Sequence, residues 1–192
     1  MNWQEMQWLN SPPRHDVKEG TLALETGHET DFWQKTYYGF QRDNGHFLHV
    51  SQQGEFTAET AFTGCYEALY DQAGLMIRKD AMNWMKCGIE YTDGVCHFST
   101  VVTTSGQSDW SAFEIGHQKG PLGVKVSRLG ESLFVQYRME PDSQWKMARL
   151  AFFPADMDPV DVGIFACSPQ RAGFKAGFHH FSLRGPDSRD IH

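Results

Sequence analysis

Carboxylates and histidines are the side chains here that could move protons or hold a metal. Glu55 and Glu59, in "EFTAE", fall on one face of a strand, yet four residues of straight strand separate them by about 13 Å. Glycosidase acid pairs stand about 5–9.5 Å apart, so this pair fails. The nine histidines raise the question of a metal, chiefly His46 with His49 in "HFLH" and the adjacent His179 and His180. On a strand, odd offsets send side chains to opposite faces, so neither pair converges on one ion. The four cysteines, at 65, 87, 96 and 167, form no C-x-x-C string. Cys87 and Cys167 lie in apolar runs and read as small buried hydrophobes. Phosphate loops, G-x-G-x-x-G, G-x-S-x-G and H-E-x-x-H are all absent from the sequence. Neither a metal nor a cofactor is expected.

Binding chemistry has a stronger signature. "DQAGLMIRKDAMNWMKCGIEY", residues 71–91, alternates apolar and polar side chains on both sides of a short break. Leu75, Ile77, Met85, Cys87 and Ile89 make one face, as a half-buried sheet requires. The opposite face gathers Arg78, Trp84, Lys86, Glu90 and two glycines. A hairpin closed by "KDAMN" pairs Arg78 with Trp84, Met76 with Lys86, Gly74 with Gly88 and Gln72 with Glu90. Arg78 beside Trp84 makes a cation–π contact plausible, and paired glycines leave a slot where a ligand could approach backbone. This face is expected to line a concave pocket, with Asp71 and Gln72 at its end. "TSGQSDWS" is expected to be a strand-connecting loop that delivers Asp109 and Trp110 to the rim. Trp33, Tyr37 and His46, from "TDFWQKTYYGF" and "NGHF", complete the candidate set. Two plainer readings stand beside these: charges that pair with adjacent strands, and an Asp109 that caps its own turn.

The elements that must position these residues are strands. Turn-prone separators such as "RDNG", "TDG", "TSGQSD" and "RLGES" recur along the chain, with short alternating runs between them. Strands are expected near 2–9, 21–26, 36–41, 46–51, 55–63, 73–78, 84–91, 95–103, 111–117, 122–128, 132–138, 145–151, 160–167 and 177–184. "YTDGVCHF" carries the Asp-Gly pair of a two-residue hairpin. Only the start of "DFWQKTYYGF" offers a helical alternative. The fold class is therefore all-β, two packed antiparallel sheets. One domain covers 1–185, and a loose tail follows at 186–192. Net charge is −7 with no basic cluster, which argues against nucleic acid and anionic membrane as partners. Nothing at the N-terminus reads as a signal peptide, no run of 18 apolar residues occurs, and a cytoplasmic setting is expected.

Six blocks carry a family resemblance: "TDFWQKTYYGF", "NGHF", "YDQAGLMIRKD", "NWMKCGIEY", "VVTTSGQSDWS" and "VGIFACSPQRAGFKAGFHHF". In this order they resemble the regulation-of-enolase-like family of the concanavalin A-like lectin/glucanase superfamily. The resemblance implies a jelly-roll sandwich with a concave sheet and no agreed reaction. The E-x-D-x-E string of sandwich glucanases is missing, so no catalytic mechanism comes with it. The leading expectation is a binding protein for a sugar or sugar-derived small molecule. An enzyme using Asp71, Glu90 or Asp109 as acid or base is the alternative, as is a regulatory module that binds another protein.

Overall fold

A computed structural model describes residues 2–118 and 120–187. The strands begin with β1 (Gln7–Leu9), β2 (Arg14–Lys18), β3 (Thr21–Glu25), β4 (Phe32–Gln34) and β5 (Gln41–Asp43). Next come β6 (His46–Gln52), β7 (Phe56–Gly64), β8 (Gln72–Asp80), β9 (Asn83–Thr92) and β10 (Val95–Thr104). The order closes with β11 (Gln107–Gly116), β12 (Leu122–Leu129), β13 (Ser132–Arg138), β14 (Lys146–Phe152), β15 (Val160–Cys167) and β16 (Lys175–Arg184). A 3-10 turn at Trp3–Glu5, capped by the Asn2 side chain, is the helical element among the described residues.

Two seven-stranded sheets form an antiparallel sandwich, the all-β fold class expected. The first runs β1-β6-β15-β8-β9-β10-β11 and the second β14-β13-β12-β7-β16-β3-β2. Alternation builds the core between them: Leu75, Ile77, Met85, Cys87 and Ile89 of the first sheet meet Phe62, Val124, Val126 and Phe178 of the second. Burying each large apolar side chain of this set contributes about 1.5–3 kcal/mol.

The 71–91 hairpin has the register that its alternation implies, from Gln72 opposite Glu90 to Arg78 opposite Trp84. Its turn is tighter than the five-residue loop expected, because Asp80 still pairs with Asn83 after a register shift. Gly74 and Gly88 face each other with no ligand slot between them. A Cβ on either would meet backbone, the Cys87 carbonyl in one case and the Ala73 carbonyl in the other. The glycines permit strand-to-strand approach, a use as specific as admitting a ligand.

Asp93 and Gly94 have φ of 56° and 80°, as the hairpin between β9 and β10 demands. Ser105 and Gly106 close the next hairpin with φ of 50° and 73°. "SDWS" is therefore strand β11 and not a loop, so Asp109 and Trp110 sit on an edge strand. The strand β2 at 14–18 had no counterpart among the expected elements. The strand expected at 36–41 is a turn joining the short β4 and β5, and it is not helical. Of the expected tail, 188–192 lie outside the described residues. Asp187 is held by Arg184 and by its own N–H on Thr57 Oγ1 at 3.2 Å.

The β4–β5 hairpin lies over the face of the first sheet that is turned away from the second. Phe32 and Trp33 pack there on Phe47, Met76, Trp84, Val101, Phe165 and Cys167, a second core separate from the first. This flap makes the wall of a pocket.

Candidate ligand pocket

The pocket has a volume of about 260 Å³ and opens between the flap, the outer face of β8 to β11 and the turn after β15. Its floor is charged. Lys86, buried on β9, gives its ammonium to Asp31 Oδ1 at 3.0 Å and to the Phe32 carbonyl at 2.8 Å. Burial opposes that charge, but Asp31 and Glu90 outweigh it and hold the lysine above its ordinary range. Glu90 is four residues along the same strand, on the same face. Burial pushes its carboxyl up, against the pull of Lys86 and a 2.6 Å hydrogen bond from Ser99 Oγ. Gln72, the cross-strand partner of Glu90, donates to the Tyr70 carbonyl at 3.2 Å.

Aromatic rings make the rim. Trp110 is 38% exposed, and its Nε1 donates to Ser99 Oγ at 2.9 Å. Trp110, Ser99 and Glu90 thus form one continuous chain from rim to floor. Tyr38 on the flap and Tyr70 before β8 approach hydroxyl to hydroxyl at 3.4 Å across the mouth. That contact, with burial second, raises the Tyr70 phenol to about 12. Phe40 and Arg42 continue the flap side, with the guanidinium 5.9 Å from the Phe40 ring centre.

Of the residues singled out in the sequence, Lys86, Glu90, Gln72, Trp33 and Trp110 line this pocket. Six others do different work. Trp84 is 0% exposed under the flap, where Phe32 packs on its ring at 6.2 Å, so it offers no stacking surface. The cation near its ring is Lys86, at 5.7 Å. Arg78 instead makes an ion pair with Asp43 at 2.8 Å, tying the end of β5 to the sheet. Asp71 is wholly buried and saturated: Ser168 Oγ, Arg171 and the N–H groups of Glu67 and Ala68 all donate to it. Burial alone would raise its pKa, but these partners hold it below the usual carboxylate range. His46 is a buried connector, accepting from the Gly27 N–H at 2.9 Å and meeting the Asn10 carbonyl at 2.6 Å. Asp109 pairs at 3.1 Å with Arg149 of β14, bridging the margins of the two sheets. Tyr37 is 93% exposed at the flap tip, beside a second groove of about 550 Å³ that also includes Trp33, Asp109 and Trp110.

Asp31, Tyr38, Tyr70 and Ser99 were missed. Ser99 had a usable signal: counting back from the Asp93-Gly94 turn sets it opposite Gly88, on the face of Glu90. Asp31 and Tyr38 lie inside the quoted "TDFWQKTYYGF", but no periodicity ties that block to β9.

The family model described as a protein of unknown function (DUF1349) matches residues 8–186. The chain belongs to this family. It is 42% identical over 185 residues to regulation of enolase protein 1 of Saccharomyces cerevisiae, covering 96% of this chain and 92% of that one. A solved structure of a functionally unknown Saccharomyces cerevisiae protein superposes with a TM-score of 0.91 at 40% identity, over 98% of this chain and 100% of that chain. The carbohydrate binding module CBM66 of Bacillus subtilis superposes with a TM-score of 0.60 over 93% of this chain and 95% of that chain. At 11% identity that likeness is one of fold.

Proposed function

We propose that this DUF1349 chain binds a sugar or sugar-derived small molecule in the pocket under the flap. The observation that carries the reading is the floor: two buried, oppositely charged side chains, Lys86 and Glu90, lie beneath a half-exposed tryptophan. Burying ions costs several kcal/mol each, and such a cost is commonly met where polar groups must face a ligand. A ring such as Trp110 stacks on the C–H face of a sugar while polar groups below it read hydroxyls. The shared fold of a carbohydrate binding module supports the same reading.

Hydrolysis is less well supported. Of the three acid–base candidates, Asp71 and Asp109 are engaged elsewhere, and only Glu90 lines the pocket. A protein partner is the second reading, favoured by the edge strand β14, which leaves Met147, Leu150 and Phe152 exposed where another strand could add. A Phe152→Asp change would disrupt that contact and leave the pocket untouched. A cytoplasmic setting remains part of the proposal, and fractionation of cells making the tagged chain tests it.

A thermal-shift screen of glycans and sugar metabolites tests the leading reading, because a ligand at 100 times its Kd adds about 2.7 kcal/mol of stability. Trp110→Ala, on a sheet margin, should fold normally and lose the shift. A shift that survives Trp110→Ala would place the ligand elsewhere.

A further inference from the structure

The pocket floor has a definite hydrogen-bonding remainder. Lys86 has three N–H donors, and among the described residues Asp31 and the Phe32 carbonyl take two of them, which leaves one. One Glu90 oxygen accepts from Ser99; among the described residues the other makes no hydrogen bond. Gln72 spends its amide N–H on the Tyr70 carbonyl and, at 3.5 Å, on Asp31, leaving its carbonyl oxygen as an acceptor. The remainder is one cationic donor and two acceptors on one sheet face, with Lys86 and Glu90 four residues apart on β9 and Gln72 opposite Glu90 on β8.

Charge narrows the ligand further. Glu29, Asp31 and Glu90 line the pocket against Arg42 and Lys86. Arg42 lies exposed at the rim, and the Lys86 charge is already matched by Asp31 at 3.0 Å. A phosphate reaching the floor would meet two carboxylates and no unpaired cation, in a site where water screens little. The hydroxyls of a neutral sugar have no such difficulty. One hydroxyl donates to Glu90 or Gln72, and another accepts from Lys86, because every hydroxyl is both donor and acceptor.

We propose that the pocket selects an uncharged sugar ring, reading its hydroxyls through Lys86 and Glu90, and that it rejects phosphorylated sugars. This inference rests on the sugar-binding reading and narrows it to one chemical class. Glu90 and Lys86 are then specificity-determining residues, and Trp110 is the platform that both classes of sugar would share.

The test compares free neutral monosaccharides, the same sugars as phosphates, and a protonated amino sugar, by calorimetry on the full chain. Neutral sugars should bind, their phosphates at least tenfold more weakly. Glu90→Gln keeps shape and removes the charge, so it should fold while weakening neutral sugars at least tenfold. Lys86→Met should behave alike wherever its melting curve shows a folded protein. Tighter binding of a phosphate or of the amino sugar, or equal neutral-sugar affinity in folded Glu90→Gln, would overturn the selectivity and leave sugar binding standing. If no sugar of any charge binds, the sugar-binding reading falls and takes this inference with it.

Discussion

Asp71, just before β8, and Glu90, on β9, are both carboxylates, and their surroundings drive them in opposite directions. Asp71 is ionised by its partners. Its depressed pKa means that it stabilises the fold above the ordinary carboxylate value of 3.8, and that this contribution is lost as pH falls through the lower folded value. Asp71→Ala should cost about 3 kcal/mol or more at neutral pH, since two N–H groups and a hydroxyl lose their acceptor. Glu90 has the opposite sign. Its folded pKa lies above 4.5, so its proton is held more firmly in the folded than in the unfolded chain, and the stability this adds at acid pH fades as pH rises through the folded value. Glu90→Gln should therefore gain on the native chain as pH rises from about 4 to 7 in paired urea melts. A variant that loses ground over that range would show the carboxylate to be well paired and the pKa argument wrong. The alternation of 71–91 was enough to read the register and the face of Glu90. It could not reveal the fate of Asp71, whose partners Ser168 and Arg171 lie 97 and 100 residues further on.

The flap was the least legible element, for a physical reason. Its strands β4 and β5 have three residues each, too few for alternation to show. Between them Lys35 and Tyr37 take φ of 56° and 63°, a conformation that bulky side chains seldom adopt and that composition does not announce. An aromatic run of this kind reads equally as strand or helix start. The flap is anchored to the sheet by charge as well as by Phe32 and Trp33, chiefly through Asp31 on Lys86. Asp31→Asn should cost about 3–5 kcal/mol, because it strands a buried ammonium. Adding Lys86→Met should recover much of that loss, since an apolar group tolerates the site better than an unpaired ion. Strictly additive losses in this double-mutant cycle would mean that the ion pair does not hold the flap.

At the scale of the molecule there are three layers, not two: the second sheet, the first sheet and the flap. The middle layer is covered on both faces, which explains why Trp84, Lys86 and Glu90 share a buried face. β8, β9 and β15 are buried along most of their length, whichever way the side chains point. A two-sheet sandwich was legible in the strand spacing and turn residues, whereas the covering of its outer face depended on contacts that span the chain. The layers should open separately. Amides in β8, β9 and β15 have cores on both sides and should exchange with solvent only through global unfolding, as the slowest set in the protein. The flap tip at 35–40 carries exposed Tyr37 and is tied back by few bonds, among them Gln34 N–H on Ser108 Oγ at 2.9 Å and the 3.4 Å contact of Tyr38 with Tyr70. Its amides should exchange through local opening, orders of magnitude faster than those of β9, and slow markedly when a neutral sugar fills the pocket. Hydrogen exchange read by mass spectrometry, with and without sugar, measures both. Flap amides as protected as β9 in the free protein would make the flap an integral part of the sandwich, and the pocket a site that fills without moving it.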